Sequence, residues 1–166
     1  PLLLKHDGDF VGRSATGTGK TYAFGIPLLH NVVTTEGTLQ AIILVPTREL
    51  CEQVGTELQE LAQNIPSIKI EAIYGGVSLK AQINSLSNGT HIIVATPGRL
   101  TDLIQRKVVD LKTLKYLIFD EADEMLLKGF TTDIDKILAS TSNTSFSTWL
   151  FSATMPIEIK KIVDKY

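Results

Sequence analysis

The sequence predicts a doubly wound α/β domain, a mostly parallel central sheet with helices on both faces. Three observations predict it. Short apolar runs alternate with longer helical patterns along all 166 residues. Several runs carry Ile, Val and Leu on consecutive positions, which marks strands buried on both faces. Each run is followed at once by Gly, Ser/Thr, Arg or acidic residues, and in this class of sheet ligands bind beyond the carboxyl ends of the strands. Strand–helix alternation with right-handed crossovers then gathers all those segments on one sheet edge.

The first strand, Asp9–Arg13, leads into S-A-T-G-T-G-K-T at 14–21. The second, Gln40–Val45, leads into P-T-R-E-L and a helix from Thr47 to about Gln63. In that helix Leu50, Val54, Leu58 and Leu61 are spaced by 4, 4 and 3 and form one apolar stripe. Ile68–Tyr74 is followed by Gly75-Gly76, His91–Ala95 by T-P-G-R-L, and Tyr116–Phe119 by D-E-A-D. Thr148–Phe151 precedes S-A-T, and Pro156 suits the first turn of a last helix carrying Ile159, Ile162, Val163 and Tyr166.

Hydrophobic residues make up 43% of the chain and charged residues 20%, the balance of a globular domain rather than a disordered one. The length suits one domain that needs no staples. Sixteen Lys+Arg against 18 Asp+Glu give a net charge of -2, which argues against a binder that works by bulk positive charge. A protein that holds phosphates with backbone N–H groups and a few arginines remains compatible with it. The single cysteine, Cys51, rules out an internal disulfide and a Cys-rich zinc site and fits a reducing compartment, the cytoplasm or the nucleus. Cys51 reads as a small helix residue and Trp149 as packing. His6, His30 and His91 match no zinc spacing and read as surface or local hydrogen-bonding groups. No apolar run approaches the ~20 residues that span a bilayer. The sequence starts at Pro1 without Met or a signal-peptide layout and stops at Tyr166 inside a helix-like run, so residues 1–166 are expected to be a one-domain fragment.

Ser14, Ala15, Thr16, Gly17, Thr18, Gly19, Lys20 and Thr21 have P-loop spacing between a strand and a helix. Gly17 and Gly19 let successive N–H groups turn toward phosphate oxygens, and the following helix points its positive end there. Lys20 would reach the terminal phosphates and Thr21 would offer a hydroxyl to Mg²⁺. Ser14 stands where the usual loop has Gly. Asp120, at a strand end, is where a P-loop NTPase places the aspartate that holds Mg²⁺, directly or through water, and Glu121 can deprotonate an attacking water. Mg²⁺ prefers one or two carboxylates, so no larger acidic cage is expected.

Together these segments resemble the DEAD-box RNA helicases of helicase superfamily 2. The match covers nearly the whole chain and rests on S-A-T-G-T-G-K-T, P-T-R-E-L, G-G, T-P-G-R-L, D-E-A-D and S-A-T in that order. The resemblance implies a RecA-like, ATP-binding first lobe of a two-lobed motor. It implies RNA held by its backbone on Pro46, Thr47, Arg48, Gly75, Gly76, Thr96, Pro97, Gly98 and Arg99, with little sequence preference. Arg48 and Arg99 can fork onto phosphates, and the glycines allow close approach of a sugar-phosphate chain. Ser152, Ala153 and Thr154, with Asp123, are implied to couple ATP use to unwinding. The family's adenine-recognition segment lies before the P-loop, and its arginine fingers lie on a C-terminal lobe. Both are expected in the parent chain, and the isolated fragment is expected to hydrolyse ATP slowly or not detectably. Plainer readings stand beside these: Thr96–Arg99 as a helix start, Gly75-Gly76 as a turn, Arg48 paired with Glu52, and Ser152–Thr154 as a helix cap. A non-enzymatic RNA clamp, a DNA helicase and a metabolic kinase are the alternative functions.

Overall fold

The computed structural model describes residues 3–4, 8–14, 19–35, 37–65, 67–141, 145–157 and 159. In chain order the elements are β1 (Phe10–Arg13), α1 (Lys20–Asn31), β2 (Ala41–Leu44), α2 (Arg48–Leu61), β3 (Ile70–Ile73), α3 (Leu79–Leu86), β4 (Ile92–Ala95), α4 (Pro97–Gln105), β5 (Tyr116–Asp120), α5 (Ala122–Leu127), α6 (Thr131–Ser140) and β6 (Ser147–Ser152). The strands form one sheet in the order β1-β6-β5-β2-β4-β3, and every pairing is parallel. The predicted fold class therefore holds.

The central strands are apolar at every position because helices cover both faces. Ala41–Leu44 and Ile92–Ala95 are buried throughout. On β2, Ile42 and Leu44 face a core shared with Leu100 and Leu103 of α4 and Ile134 and Ile137 of α6. Ala41 and Ile43 face the opposite core, with Phe24 and Leu28 of α1 and Val54 and Leu58 of α2. This two-residue alternation on a strand, against the 3.6-residue stripe on each helix, joins the sheet to two helical layers.

The predicted helix at Thr47 appears as α2, with the Thr47 side chain accepting the Leu50 N–H at 3.1 Å as an N-cap. Two predicted strands run slightly further than expected. Asp120 closes β5 opposite Phe151, and Ser152 closes β6 opposite Arg13, so ladder pairing continues one residue into each polar segment. Trp149 is wholly buried, packs tilted against Tyr116 with ring centroids 5.0 Å apart, and donates its indole N–H to Gly8 O. Cys51 is a buried α2 residue, its sulfur 3.1 Å from Val94 O, and burial pushes its thiol up to about 12. His91 is buried and bonded locally: its Nδ1 accepts the Lys69 N–H at 3.0 Å, and its Nε2 lies 3.2 Å from Thr34 O. His30 is exposed, and His6 lies outside the described residues. Of the expected last helix, Ile159 is buried against the α4–α6 core, while Ile162, Val163 and Tyr166 lie outside the described residues. No described helix is long and apolar enough to cross a membrane.

Candidate functional site

The carboxyl ends of all six strands meet on one edge. There Ser14 N–H donates to Ser152 O at 3.0 Å, tying the exit of β1 to that of β6. Ala15, Thr16, Gly17 and Thr18 of the predicted phosphate loop lie outside the described residues. The loop's last glycine, Gly19, is the N-cap of α1 at φ 83°, a left-handed conformation that favours glycine. It delivers the chain into α1 with Lys20 and Thr21 in the first turn, where free N–H groups favour anions.

Lys20 is 8% exposed, and its Nζ lies 3.1 Å from Asp120 Oδ1 and 3.6 Å from Glu121 Oε1. Close as they are, neither Lys20 Nζ nor Asp120 Oδ1 makes a hydrogen bond of good geometry among the described residues. Burial pushes the Asp120 carboxyl above its ordinary value, and the Lys20 charge only partly opposes the shift. A buried ammonium beside two carboxylates, with hydrogen-bonding capacity unused, is costly unless a ligand completes it. An anion with phosphate-type oxygens would satisfy Lys20, and a divalent cation would satisfy Asp120. Among the described residues no group of three or more His, Cys, Asp or Glu could hold a metal by itself. A cation here would thus rest on Asp120, the half-buried Thr21 hydroxyl and the anion's own oxygens, the sparse set that Mg²⁺ accepts.

Asp123, three residues after Asp120, turns the other way. Glu121 takes a left-handed backbone at φ 56° and ends β5, so that α5 starts at Ala122. Asp123 Oδ2 accepts the Thr154 hydroxyl at 2.6 Å and the Thr154 N–H at 2.9 Å. Asp123 N–H donates to Ser152 Oγ at 3.3 Å, and that hydroxyl donates to Thr154 O at 2.6 Å. Burial alone would raise the Asp123 carboxyl, but hydrogen bonds from Thr154 and Ser152 outweigh it and hold it below its ordinary value. The exposed Ala153 offers its carbonyl to Arg13 Nε at 3.3 Å. The strand that carries the acids is thereby bonded to the exit of its neighbour.

Along the rest of the edge the expected backbone-binding residues fall in a row across β2, β4 and β3. Arg48 is exposed on α2, 3.4 Å from Glu52, with its guanidinium 5.1 Å above the Tyr74 ring. A hydrogen bond from Tyr74 holds the Glu52 carboxyl below its ordinary value, with Arg48 adding to the effect. Gly75 and Gly76 are exposed, and Gly76 sits at φ 89° in a turn that only glycine enters without strain. Thr96 caps α4 by backbone position with its side chain unused there, Pro97 is the first helical residue, and Gly98 follows half-buried. Pro46 and Pro97 are themselves buried. Arg99 Nη1 donates to Gln82 Oε1 at 2.6 Å and Nη2 to Val77 O at 3.2 Å. The plain structural readings of Thr96–Arg99, of the Gly-Gly turn and of the Arg48–Glu52 pair all hold, and Arg48, Gly75 and Gly76 remain exposed within them. Gln82 escaped the sequence reading. Its signal was an amide on the same helical stripe as Leu79, Ile83 and Leu86.

Comparison with known proteins bears on the fold and the family. The sequence model of the DEAD/DEAH box helicase family matches residues 1–162. The DEAD-box ATP-dependent RNA helicase CshA of Streptococcus pneumoniae is 48% identical over 162 residues, covering 98% of this chain and 30% of that protein. Among solved structures, a DEAD box protein from the hyperthermophile Methanococcus jannaschii superposes with a TM-score of 0.88 at 42% identity, over 100% of this chain and 45% of that one. The yeast DEAD-box splicing factor Prp28 gives 0.90 at 36% identity, over 98% and 40%. The chain spans about a third of the length of the curated relatives it matches. With the family model matched almost end to end and a DEAD-box relative 48% identical over 98% of this chain, the chain belongs to the DEAD/DEAH box helicase family.

Proposed function

We propose that residues 1–166 form the ATP-binding, RecA-like first lobe of a two-lobed, Mg²⁺-dependent RNA helicase. The observation that carries the reading is the buried Lys20–Asp120 pair with Glu121 beside it, Lys20 Nζ and Asp120 Oδ1 making no hydrogen bond among the described residues, set on the same edge as Arg48, Gly75-Gly76 and Arg99. In this reading Lys20 and the loop 14–21 bind the phosphates of ATP. Thr21 and Asp120 hold Mg²⁺, which when bound neutralises charge on the phosphate oxygens. Glu121, beside Asp120 but less buried, takes the proton of the attacking water. RNA lies by its backbone across Pro46–Arg48, Gly75-Gly76 and Thr96–Arg99, with contacts indifferent to base identity. Asp123, bonded to Ser152 and Thr154, carries the state of the nucleotide site to the exit of β6. A C-terminal lobe of the parent chain completes both sites. ATP closes the lobes over RNA by binding the closed state better than the open one, and the closure melts a short duplex locally.

The test is phosphate release by the parent chain with ATP and Mg²⁺, with and without single-stranded RNA, with DNA as control and Glu121→Gln as blank. Stimulation by RNA alone, absent in Glu121→Gln, is expected. Equal stimulation by DNA would make the protein a general nucleic-acid motor. No turnover with either, but tight RNA binding in ATP, would make it a clamp. Residues 1–166 by themselves should hydrolyse ATP slowly or not detectably, because the opposing lobe's arginines, worth about 10³ or more in rate, are missing.

A further inference from the structure

We propose that Gln82 is the positioning residue of the RNA platform, fixing the Arg99 guanidinium and the Gly75-Gly76 turn as one rigid unit without neutralising the arginine. The proposal rests on the RNA-binding reading of this edge.

Gln82 is the one buried side chain of α3, 7% exposed. A buried amide must be bonded on both sides, and this one is. Its Nε2 donates to Tyr74 O at 3.2 Å, immediately before the two glycines. Its Oε1 accepts from Arg99 Nη1 at 2.6 Å, while Arg99 Nη2 donates to Val77 O, immediately after them. The chain of bonds from Tyr74 O through Gln82 and Arg99 to Val77 O therefore brackets the turn from both ends. Arg48 belongs to the same unit. Its guanidinium lies over the Tyr74 ring, and a Cβ added at Gly76 would come within 3.5 Å of its Nη1.

The chemistry explains why an amide suits this position. Arginine presents five N–H donors in a planar fork. Gln82 and Val77 engage a part of them and hold the plane, leaving the others for a phosphate. A neutral amide does this while the full positive charge stays available. A carboxylate at position 82 would hold Arg99 at least as firmly, but it would cancel the charge and would have no N–H to give Tyr74 O. Preorganisation of this kind lowers the ordering cost of binding, so it acts on RNA affinity rather than on turnover.

The experiment uses the parent chain and a short oligouridine, with Gln82→Met, Gln82→Glu, Arg99→Met and the Gln82→Met/Arg99→Met double variant. RNA-stimulated ATP hydrolysis gives kcat and the KM for RNA, and fluorescence anisotropy gives RNA affinity. Gln82→Met should raise the KM for RNA about tenfold, about 1.4 kcal/mol, with kcat at saturating RNA kept within about twofold. Gln82→Glu should be weaker for RNA than Gln82→Met although it keeps the contact to Arg99. The double variant should bind RNA more weakly than Arg99→Met, but by less than Gln82→Met loses alone, because only the bond to Tyr74 O is left to remove. Wild-type RNA affinity in Gln82→Met beside a weakened Arg99→Met overturns the proposal alone. So do additive effects in the double variant, and so does an equal fall in kcat and in the melting temperature without a change in the KM for RNA. Unchanged RNA affinity in Arg99→Met overturns the RNA reading of this edge, and the proposal with it. If Gln82→Met does not fold, the comparison of Gln82→Glu with wild type decides, and a KM for RNA equal to wild type overturns the proposal.

Discussion

Removing the hydroxyl of Ser152 should weaken the junction of β6 with α5 by an amount that the structure sets. Ser152 is wholly buried, and its Oγ is the acceptor for the Asp123 N–H. That N–H belongs to the first turn of α5, whose donors have no intrahelical partner, and no side chain at the α5 N-cap bonds it. Ser152→Ala strands this buried donor, which costs about 1–3 kcal/mol. The Thr154 carbonyl, also released, sits on an exposed residue and can turn to water, so it adds little. A loss of about 2 kcal/mol in a chain of this length lowers the melting midpoint by roughly 4–8 °C. Circular dichroism melts of wild type, Ser152→Ala and the exposed control Ala153→Ser measure it. Ser152 also helps to hold the Asp123 carboxyl low, so in Ser152→Ala that group should titrate higher by NMR. In the parent chain, unwinding should fall more than RNA-stimulated hydrolysis. A midpoint within about 1 °C of wild type, with an unmoved Asp123 titration, would refute the reasoning, since a stranded buried donor must appear in one readout or the other.

Three further outcomes are expected. Gly25→Ala should destabilise the domain by about 1–3 kcal/mol in urea unfolding, because the new Cβ would lie 2.8 Å from Leu58 Cδ2 where α1 packs on α2. Cys51 should resist iodoacetamide in the folded protein and react only after unfolding, since burial pushes its thiol up to about 12; the rate with and without urea decides it. Asp120 and Asp123 should give acid stability opposite slopes. The fold depresses Asp123, so its contribution is present above the unfolded value and is lost as pH falls through the folded one. The fold raises Asp120, so its contribution is present below the unfolded value and is lost as pH rises through the folded one. In urea titrations across the acid range, Asp123→Asn should remove the acid-side loss and Asp120→Asn the decline on the rising side.

The strands were legible because burial on both faces leaves no choice of residue type: Ala41–Leu44 and Ile92–Ala95 can be read without knowing their partners. The exit segments were legible because phosphate cradles, helix starts and metal-holding acids need particular residues at short spacing. Strand order was not legible. Parallel pairing of β2 with β4 and β5 depends on packing between residues far apart in the chain, and each strand taken alone suits several neighbours. The same distance hid the meeting of Lys20 with Asp120 and the grip of Gln82 on Arg99. Motif spelling did place Lys20, Asp120, Asp123, Ser152 and Thr154 at strand exits. The resemblance also linked Asp123 to Ser152 and Thr154, and those hydrogen bonds are present. Spelling alone did not show the division, with Asp120 and Glu121 toward Lys20 and Asp123 toward Thr154.

That division depends on the backbone of Glu121. A strand ending at Asp120 and a helix starting at Ala122 leave one residue to turn the chain, and Glu121 does it at φ 56°, a conformation costing a non-glycine residue roughly 1–2 kcal/mol. Glycine would make the turn freely, so the glutamate stands here against local preference, which is expected where a side chain serves chemistry. Glu121→Gly and Glu121→Gln both remove the carboxylate, and both should abolish hydrolysis in the parent chain. They differ in strain: Gln keeps the unfavourable turn and Gly relieves it, less the flexibility that glycine adds to the unfolded chain. Glu121→Gly should therefore be more stable than Glu121→Gln by about 1 kcal/mol, roughly 2–4 °C in melting midpoint. Equal midpoints would mean that the turn is unstrained and that glutamate at this position needs no functional explanation from the backbone. Hydrolysis retained in either variant would remove Glu121 from the catalytic step.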